Sequence, residues 1–485
     1  MSTSSASSSS TLTHTSIICS LYCTYILFFL ELAVNAEGFD SLVQSPHLRN
    51  PSRSKTKKMT FSVNDYGSQG DGVNDDTQPP HWRNSSRSKT KKVTFYVSNY
   101  GAKGDGVNDD TRAFKNVWKA ACSFSSRSKV VILVRNTHLV QPVDFGGPCQ
   151  SKLTLKISGT IVAPRDPDAW HGLNPQKWLY FHGVNHLTVG GKGVIDGRGQ
   201  EWWARSCKIH KSNPCQRAPT ALTFHRCKHV NVRDLVMVNS QKMHLAFTNC
   251  VFVVASHLRV LAPGWSPNTD GIHISSSAHV EVKDSNIRTG DDCISIVGNS
   301  SVIRIRRISC GPGHGISIGS LGKSNSYVQV HDVRVDGAFL SNTENGMRIK
   351  TWQGGSGLVS NIAFQNAWMK NVSNPIIINQ YYCDSQVPCQ NKSLAVKVED
   401  ISFMGIKGTS ATEEAIKFAC SDTFPCEGLY LEDIHLVLYS SGPVRSFCWE
   451  AQGSSAGLVL PQPCFSSCQG EICQKVLYSS ILQSI

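Results

Sequence analysis

Short alternating triplets recur along the middle of the chain at a nearly fixed interval. Ile272-His273-Ile274, Ile294-Ser295-Ile296 and Ile316-Ser317-Ile318 follow one another at an equal step. Further starts at Leu222, Leu245, Met347 and Ile376 extend the series on either side with slightly longer steps. Alternation with period two is a strand signal, and a repeat of roughly 20 to 30 residues built on one strand is a solenoid signal. After the triplets, polar turns lead into a second alternating stretch, as in Ser277-Ala278-His279-Val280-Glu281-Val282. More than one strand per coil predicts stacked parallel sheets: an all-β chain folded as a single parallel β-helix. Residues one period apart then stack on neighbouring coils, about 4.8 Å apart.

The ends read differently. Residues 49–78 and 83–112 are near copies, identical at 22 of 30 positions. Both contain Gly-Asp-Gly-Val-Asn-Asp-Asp-Thr, but only the second continues into Ala113, Phe114, Val117, Trp118, Ala121 and Cys122. That spacing predicts a short amphipathic helix, with Asp110 or Thr111 as its N-cap, covering the open N-terminal end of the stack. The first copy runs into Gln78-Pro79-Pro80, which stops such a helix. From about Cys420 the alternation weakens and cysteines gather, so this part reads as a disulfide-stapled C-terminal cap. The expected organisation is a signal peptide over 1–36, a basic polar linker with the partial duplicate over 37–92, the β-helix domain over 93–473 and a tail over 474–485.

Charge and cysteine content narrow the setting. The 485 residues carry a formal charge of +13, but residues 49–58 and 83–92 hold ten of the 48 Lys and Arg. Two short basic runs read as solvated linkers, which argues against a nucleic-acid partner; a mildly basic body still suits a polyanionic substrate. Apart from Cys19 and Cys23 there are sixteen cysteines, several closely spaced: Cys207/Cys215, Cys383/Cys389, Cys420/Cys426 and Cys464/Cys468/Cys473. Neither the paired CxxC spacing of a zinc ribbon nor HExxH occurs, so disulfides in an oxidising compartment are expected and no metal. The apolar run Ile17–Leu30, followed by Val34-Asn35-Ala36, has the form of a secretion signal, and membrane contact is expected only if it stays uncleaved. Sequons begin at Asn84, Asn299, Asn371 and Asn391, as in a secreted glycoprotein.

The chemistry lies at the tightest repeats. Asp270, Asp292 and His314 are separated by the same step as the triplets, with Asp291 beside Asp292, and Arg348 and Lys350 follow two coils on. Stacked like charges on neighbouring strands are destabilising, so a column of carboxylates points to function. Paired carboxylates are the machinery of glycoside hydrolysis, one giving a proton to the leaving oxygen and the other activating water. Gly290 suggests a turn that aims both Asp291 and Asp292 into the groove, with His314 near enough to tune the acid. Arg348 and Lys350, two apart on a strand, share a face and form a cationic clamp for a carboxylate-bearing sugar.

These motifs carry a resemblance. NTDGIHI, GDDCISI, GPGHGISIGS and NGMRIKTWQGG, in this order and spacing, resemble the plant polygalacturonases of glycoside hydrolase family 28, over roughly Thr94 to Cys473. The resemblance implies a right-handed parallel β-helix and inverting hydrolysis of α-1,4-galacturonosyl linkages in demethylated pectin, without metal or organic cofactor. It implies Asp291 as general acid, Asp270 and Asp292 as the residues that hold and activate water, and His314 as support for the acid. Arg348 and Lys350 bind the substrate carboxylate, with Asn268 and Tyr382 also on the substrate; Tyr381 is the alternative to Tyr382. Cys293 with Cys310 matches a family disulfide beside the site. The implied partner is pectin in the cell wall, acted on by a secreted monomer, with endo attack expected over exo. Two other readings use the same residues. In a Ca-dependent pectate lyase the aspartates hold the ion and Arg348 or Lys350 takes a proton. A non-catalytic pectin-binding β-helix would keep the groove without turnover.

Overall fold

The computed structural model describes residues 92–467 except Gln386. The proposed signal peptide, the linker and first copy up to residue 91, Cys468, Cys473 and the tail lie outside the described residues.

The period-two pattern becomes two parallel sheets, one of nineteen strands and one of eleven. The strand starts read from the sequence form a single register column in the eleven-strand sheet. Leu222 pairs with Leu245, then Ile272, Ile294, Ile316, Met347 and Ile376 follow in turn. Strands of the larger sheet are longer and bend at stacked left-handed residues. One row lies near the strand starts, at His229, Phe252, His279 and Val302, and a second at Asp234, His257, Asp284 and Arg307, with φ between 51° and 59°. Residues in the left-handed region turn the chain without breaking the ladder, so the larger sheet wraps two sides of each coil and the smaller one closes it.

Alternate residues point inward and fill the coil. Val232, Ala255, Val282, Ile305, Val335 and Phe364 form one such buried column. Phe145, Phe181, Phe224 and Phe247 stack ring on ring at 4.7, 5.2 and 5.5 Å. Offset stacking of this kind adds about 0.5–1.5 kcal/mol per pair beyond area burial and fixes the register.

Helix α1 (Thr111–Ser123) covers the N-terminal end as expected, burying Ala113, Phe114, Val117, Trp118 and Ala121. Trp118 packs on Phe145 and Phe181 and donates from Nε1 to the Gly146 carbonyl at 3.0 Å. Its N-cap is Asp110, one of the two expected residues, but the capping bond is not made by that side chain. The Asp110 carboxylate accepts from the Lys103 and Gly104 amides and meets His138 Nδ1 at 2.7 Å. Asp109 instead accepts from the Thr111 amide at 2.9 Å. The Gly-Asp-Gly-Val-Asn-Asp-Asp-Thr motif is thus a fastening between the first coil and the cap.

Beyond Cys420 the chain is stapled by Cys420–Cys426 and Cys448–Cys464. Within it Cys426–Leu438, Arg445–Trp449 and Ala451–Leu460 continue both sheets in parallel, with register shifts that blur the alternation. Not all of the cysteines are oxidised. Among the described residues six disulfides form, Cys122–Cys149, Cys207–Cys215, Cys293–Cys310, Cys383–Cys389, Cys420–Cys426 and Cys448–Cys464. Cys227 and Cys250 are buried free thiols instead. They occupy inward positions on successive coils, where small apolar side chains are wanted and a thiol serves as one.

Candidate active site

The site forms where four coils of the eleven-strand sheet begin, just before Ile272, Ile294, Ile316 and Met347. Backbone bonds set the stack: the Gly271 amide donates to the Asp292 carbonyl at 2.9 Å, and the His314 amide to the Asp291 carbonyl at 2.8 Å. The turn through Gly290 is possible because that residue has no side chain. A Cβ there would lie 2.1 Å from the Ser266 carbonyl oxygen. The Gly290 amide donates to Thr269 Oγ1 at 3.0 Å, tying the Asp291 turn to the one carrying Asp270. The Cys293–Cys310 disulfide anchors the same turn from the interior.

The three aspartates have three environments. Asp270 is buried and accepts from Ser295 Oγ at 2.9 Å. Burial, then the charges of Asp291 and Asp292, push its pKa up to about 8. Asp292 is also buried and is gripped on both oxygens: Arg348 Nη2 donates to Oδ1 at 2.6 Å and Lys350 Nζ to Oδ2 at 2.9 Å. Ser317 Oγ donates to Oδ1 at 2.8 Å and accepts from Arg348 Nε at 2.9 Å. Asp291 remains partly open, accepting from Asn268 Nδ2 at 3.2 Å and from the Asp292 amide at 2.8 Å, with His314 Nδ1 3.0 Å away. Burial pulls Asp291 upward, but the hydrogen bond and charge of His314, with Lys350, outweigh it and hold the carboxyl below the usual range.

His314 faces carboxylates on both ring nitrogens, Asp291 at Nδ1 and Glu344 at Nε2, 3.3 Å away. Burial lowers its pKa, yet these two acids more than reverse that and leave it above the ordinary histidine value. Two carboxylates on one ring favour the imidazolium, so His314 and Asp291 together hold one mobile proton.

The residues singled out in the sequence therefore meet, though not all in the expected contacts. The column of Asp270, Asp292 and His314 holds for the backbone, but the His314 side chain reaches Asp291 and not Asp292. Arg348 and Lys350 share a face, as their spacing predicts, but in the free protein they close on Asp292. Tyr382 lies across from Lys350, whose Nζ is 5.3 Å from the ring centroid, whereas the Tyr381 hydroxyl turns away to Asp422. Ser295, Ser317 and Glu344 were not anticipated. The two serines had a signal: each sits in the Ile-Ser-Ile triplet of the coil after its aspartate, Ser295 for Asp270 and Ser317 for Asp292.

Ligand atoms of Asp291, Asp292 and His314 lie within 4.8 Å of one another, close enough for a cation. The donors do not suit one, because Asp292 already neutralises an arginine and a lysine that would repel it.

Fold and site together define a parallel β-helix protein with a carboxyl cluster of the glycosidase kind. The description "Glycosyl hydrolases family 28" matches residues 122–456. A probable polygalacturonase of Arabidopsis thaliana is 51% identical over 438 residues, covering 90% of this chain and 91% of its own. A polygalacturonase of Persea americana is 52% identical over 418 residues, 86% of this chain and 82% of its own. Among solved structures, an endo-xylogalacturonan hydrolase from Aspergillus tubingensis aligns with a TM-score of 0.63 at 24% identity, covering 78% of this chain and all of its own. An exopolygalacturonase from Thermotoga maritima gives 0.62 at 19% identity, covering 75% and 90%. The chain belongs to glycosyl hydrolase family 28.

Proposed function

We propose that the protein is a polygalacturonase, hydrolysing α-1,4-galacturonosyl linkages of demethylated pectin with inversion. The observation that carries this reading is the division of the cluster: one proton shared by Asp291 and His314, and two buried carboxyls, Asp270 and Asp292, on the adjoining coils. A bound sugar removes water from the Asp291–His314 pair and favours its neutral form, in which Asp291 carries the proton. Asp291 gives that proton to the leaving glycosidic oxygen as the bond breaks. Asp292, held between Arg348 and Lys350, takes a proton from the attacking water while the neutral carboxyl of Asp270 orients it. With Asp270 protonated, Asp291, Asp292 and Glu344 balance His314, Arg348 and Lys350. Locally, however, Arg348 and Lys350 outnumber the one carboxylate they grip, which suits the carboxylate of a galacturonosyl unit, with Asn268 and Tyr382 beside it.

We assign endo attack, because the eleven-strand floor continues four strands before the site and three beyond it. Lys208 and Asp384, 3.0 Å apart, link two disulfide-pinned loops from opposite edges of this floor. Such an exposed pair contributes under about 1 kcal/mol, so a polymer can part it. Six disulfides support action outside the cell, in the wall. Product sizes from polygalacturonate over time test the whole reading. A ladder of saturated oligomers is expected; monomer alone means exo attack. Unsaturated ends that vanish with a chelator mean a Ca-dependent lyase, and binding without product means a non-catalytic protein.

A further inference from the structure

The outer face of the larger sheet changes character along the helix. On its later coils several cations are neutralised along or across strands: Lys283 and Arg306 by Glu281, Arg304 by Asp332, Lys397 by Glu399 and Glu427. The first coils lack this compensation. Among the described residues, no carboxylate pairs with Lys92, Lys129, Lys152, Lys156 or Lys192, all of them exposed, and only Arg233 has an acid nearby, Asp234 at 3.4 Å. The strand positions between them are neutral, Val131, Thr154 and Thr188, where the later coils place Glu281.

Stacked like charges on adjacent strands are destabilising, so a row of unpaired cations needs a reason other than stability. The backbone builds a groove for it. Lys156, Gly190 and Arg233 are register partners on three successive coils, so a position without a side chain separates two cations. Here Lys92, Lys129, Lys156, Lys192 and Arg233 line a cavity of about 390 Å³. A second, of about 690 Å³, shares Lys129, Thr154 and Thr188 with it and extends to Lys152 and His186. His186 stacks on His229 at 4.5 Å, and burial and then the charges of His229 and Lys152 hold its pKa below the ordinary value, as in a field of positive sign.

We propose that this groove is a second binding site, remote from the catalytic floor, for an acidic polysaccharide with unesterified carboxylates. Its cations are spread over several coils and are mostly lysines, which act as point charges on flexible stems. That design meets a long polyanion with one carboxylate per sugar, not a small anion, which requires converging donors. The choice of polygalacturonate as ligand rests on the hydrolase reading above; the charge argument does not. The site would hold the enzyme on the insoluble polymer while the floor works on a neighbouring chain.

The test compares Lys129→Glu/Lys156→Glu/Arg233→Glu with a control of equal charge change on helix α1, Arg112→Glu/Lys115→Glu/Lys119→Glu. Adsorption to insoluble polygalacturonate is measured in an Asp291→Asn background with a short galacturonide saturating the catalytic floor. The groove variant is expected to lose adsorption by roughly tenfold or more, and the control to keep it. In the active background, hydrolysis of the short galacturonide should stay within about twofold while that of the insoluble polymer falls. Unchanged adsorption, or an equal fall in the control, overturns the proposal. So does a groove that retains DNA or anionic vesicles but not polygalacturonate. Hydrolysis of the short galacturonide by the wild type reports separately on the hydrolase reading.

Discussion

His314 Nδ1 stands 3.0 Å from Asp291 Oδ1, and the same ring reaches Glu344 through Nε2. This contact joins two coils and places one proton between a base and an acid that lie well apart along the chain. It sets the protonation state of Asp291, the proposed proton donor.

The first prediction concerns that pair. Asp291→Asn removes the proton donor and should abolish release of reducing ends while leaving the fold intact by circular dichroism. His314→Ala should lower kcat by about 10²-fold or more, within the usual range for acid–base assistance. The pH profile separates this from a structural effect. In the wild type the pair keeps its proton until pH passes the raised pKa of His314, so activity should fall above that point. Without His314 the proton resides on a lone carboxyl, and the alkaline limb should move to lower pH.

The second concerns Asp270, whose pKa of about 8 in the fold stands far above the ordinary carboxyl value of 3.8. A raised pKa means the folded state favours the protonated form. Ionisation therefore costs stability progressively as pH rises from about 4 to about 8. Asp270→Asn, which keeps a neutral side chain at every pH, should match the wild type in acid and melt higher than it toward pH 8. Thermal melts across this range check it; a wild-type advantage that grows with pH refutes the assignment.

The third concerns the grip on Asp292. Removing one partner of a buried ion pair leaves a buried charge, at a cost of about 3–5 kcal/mol. Asp292→Asn should destabilise by that order and abolish turnover, because Arg348 and Lys350 are then buried side by side without an anion. Adding Arg348→Ala to Asp292→Asn should recover part of the stability but none of the activity. Denaturant unfolding of the two single variants and the double variant supplies the cycle. Additive losses would mean that the contact contributes nothing to the fold.

The fourth concerns the turn that aims Asp291. Gly290→Ala places a Cβ 2.1 Å from the Ser266 carbonyl oxygen, so the turn must shift. Activity should fall by about 10²-fold, because small displacements of catalytic groups have effects of that size. The melting temperature should fall as well. Ser295→Ala, which leaves the turn alone, should instead raise the Asp270 pKa further, since Ser295 supports its ionised form.

Much of this protein was legible in one dimension. The register column from Leu222 to Ile376 was readable, because a parallel stack repeats the same inward position at each coil. The helix over Trp118 was readable for the same reason, at a different period. The candidate site residues were readable as a set, because stacked carboxylates stand where a ladder should not hold them. Yet His314 pairing with Asp291, and Arg348 and Lys350 closing on Asp292, follow from side-chain directions that spacing alone does not contain. The free thiols of Cys227 and Cys250, the coils beyond Cys420 and the unpaired cations around Gly190 likewise emerge only when strands are laid side by side. The sequence by itself determined the period, the inward face and the inventory of ionisable groups, because those are local and repeat along the chain. The tertiary structure decided which charges are paired, which are buried and which proton is shared, because each depends on the distance between side chains on different coils.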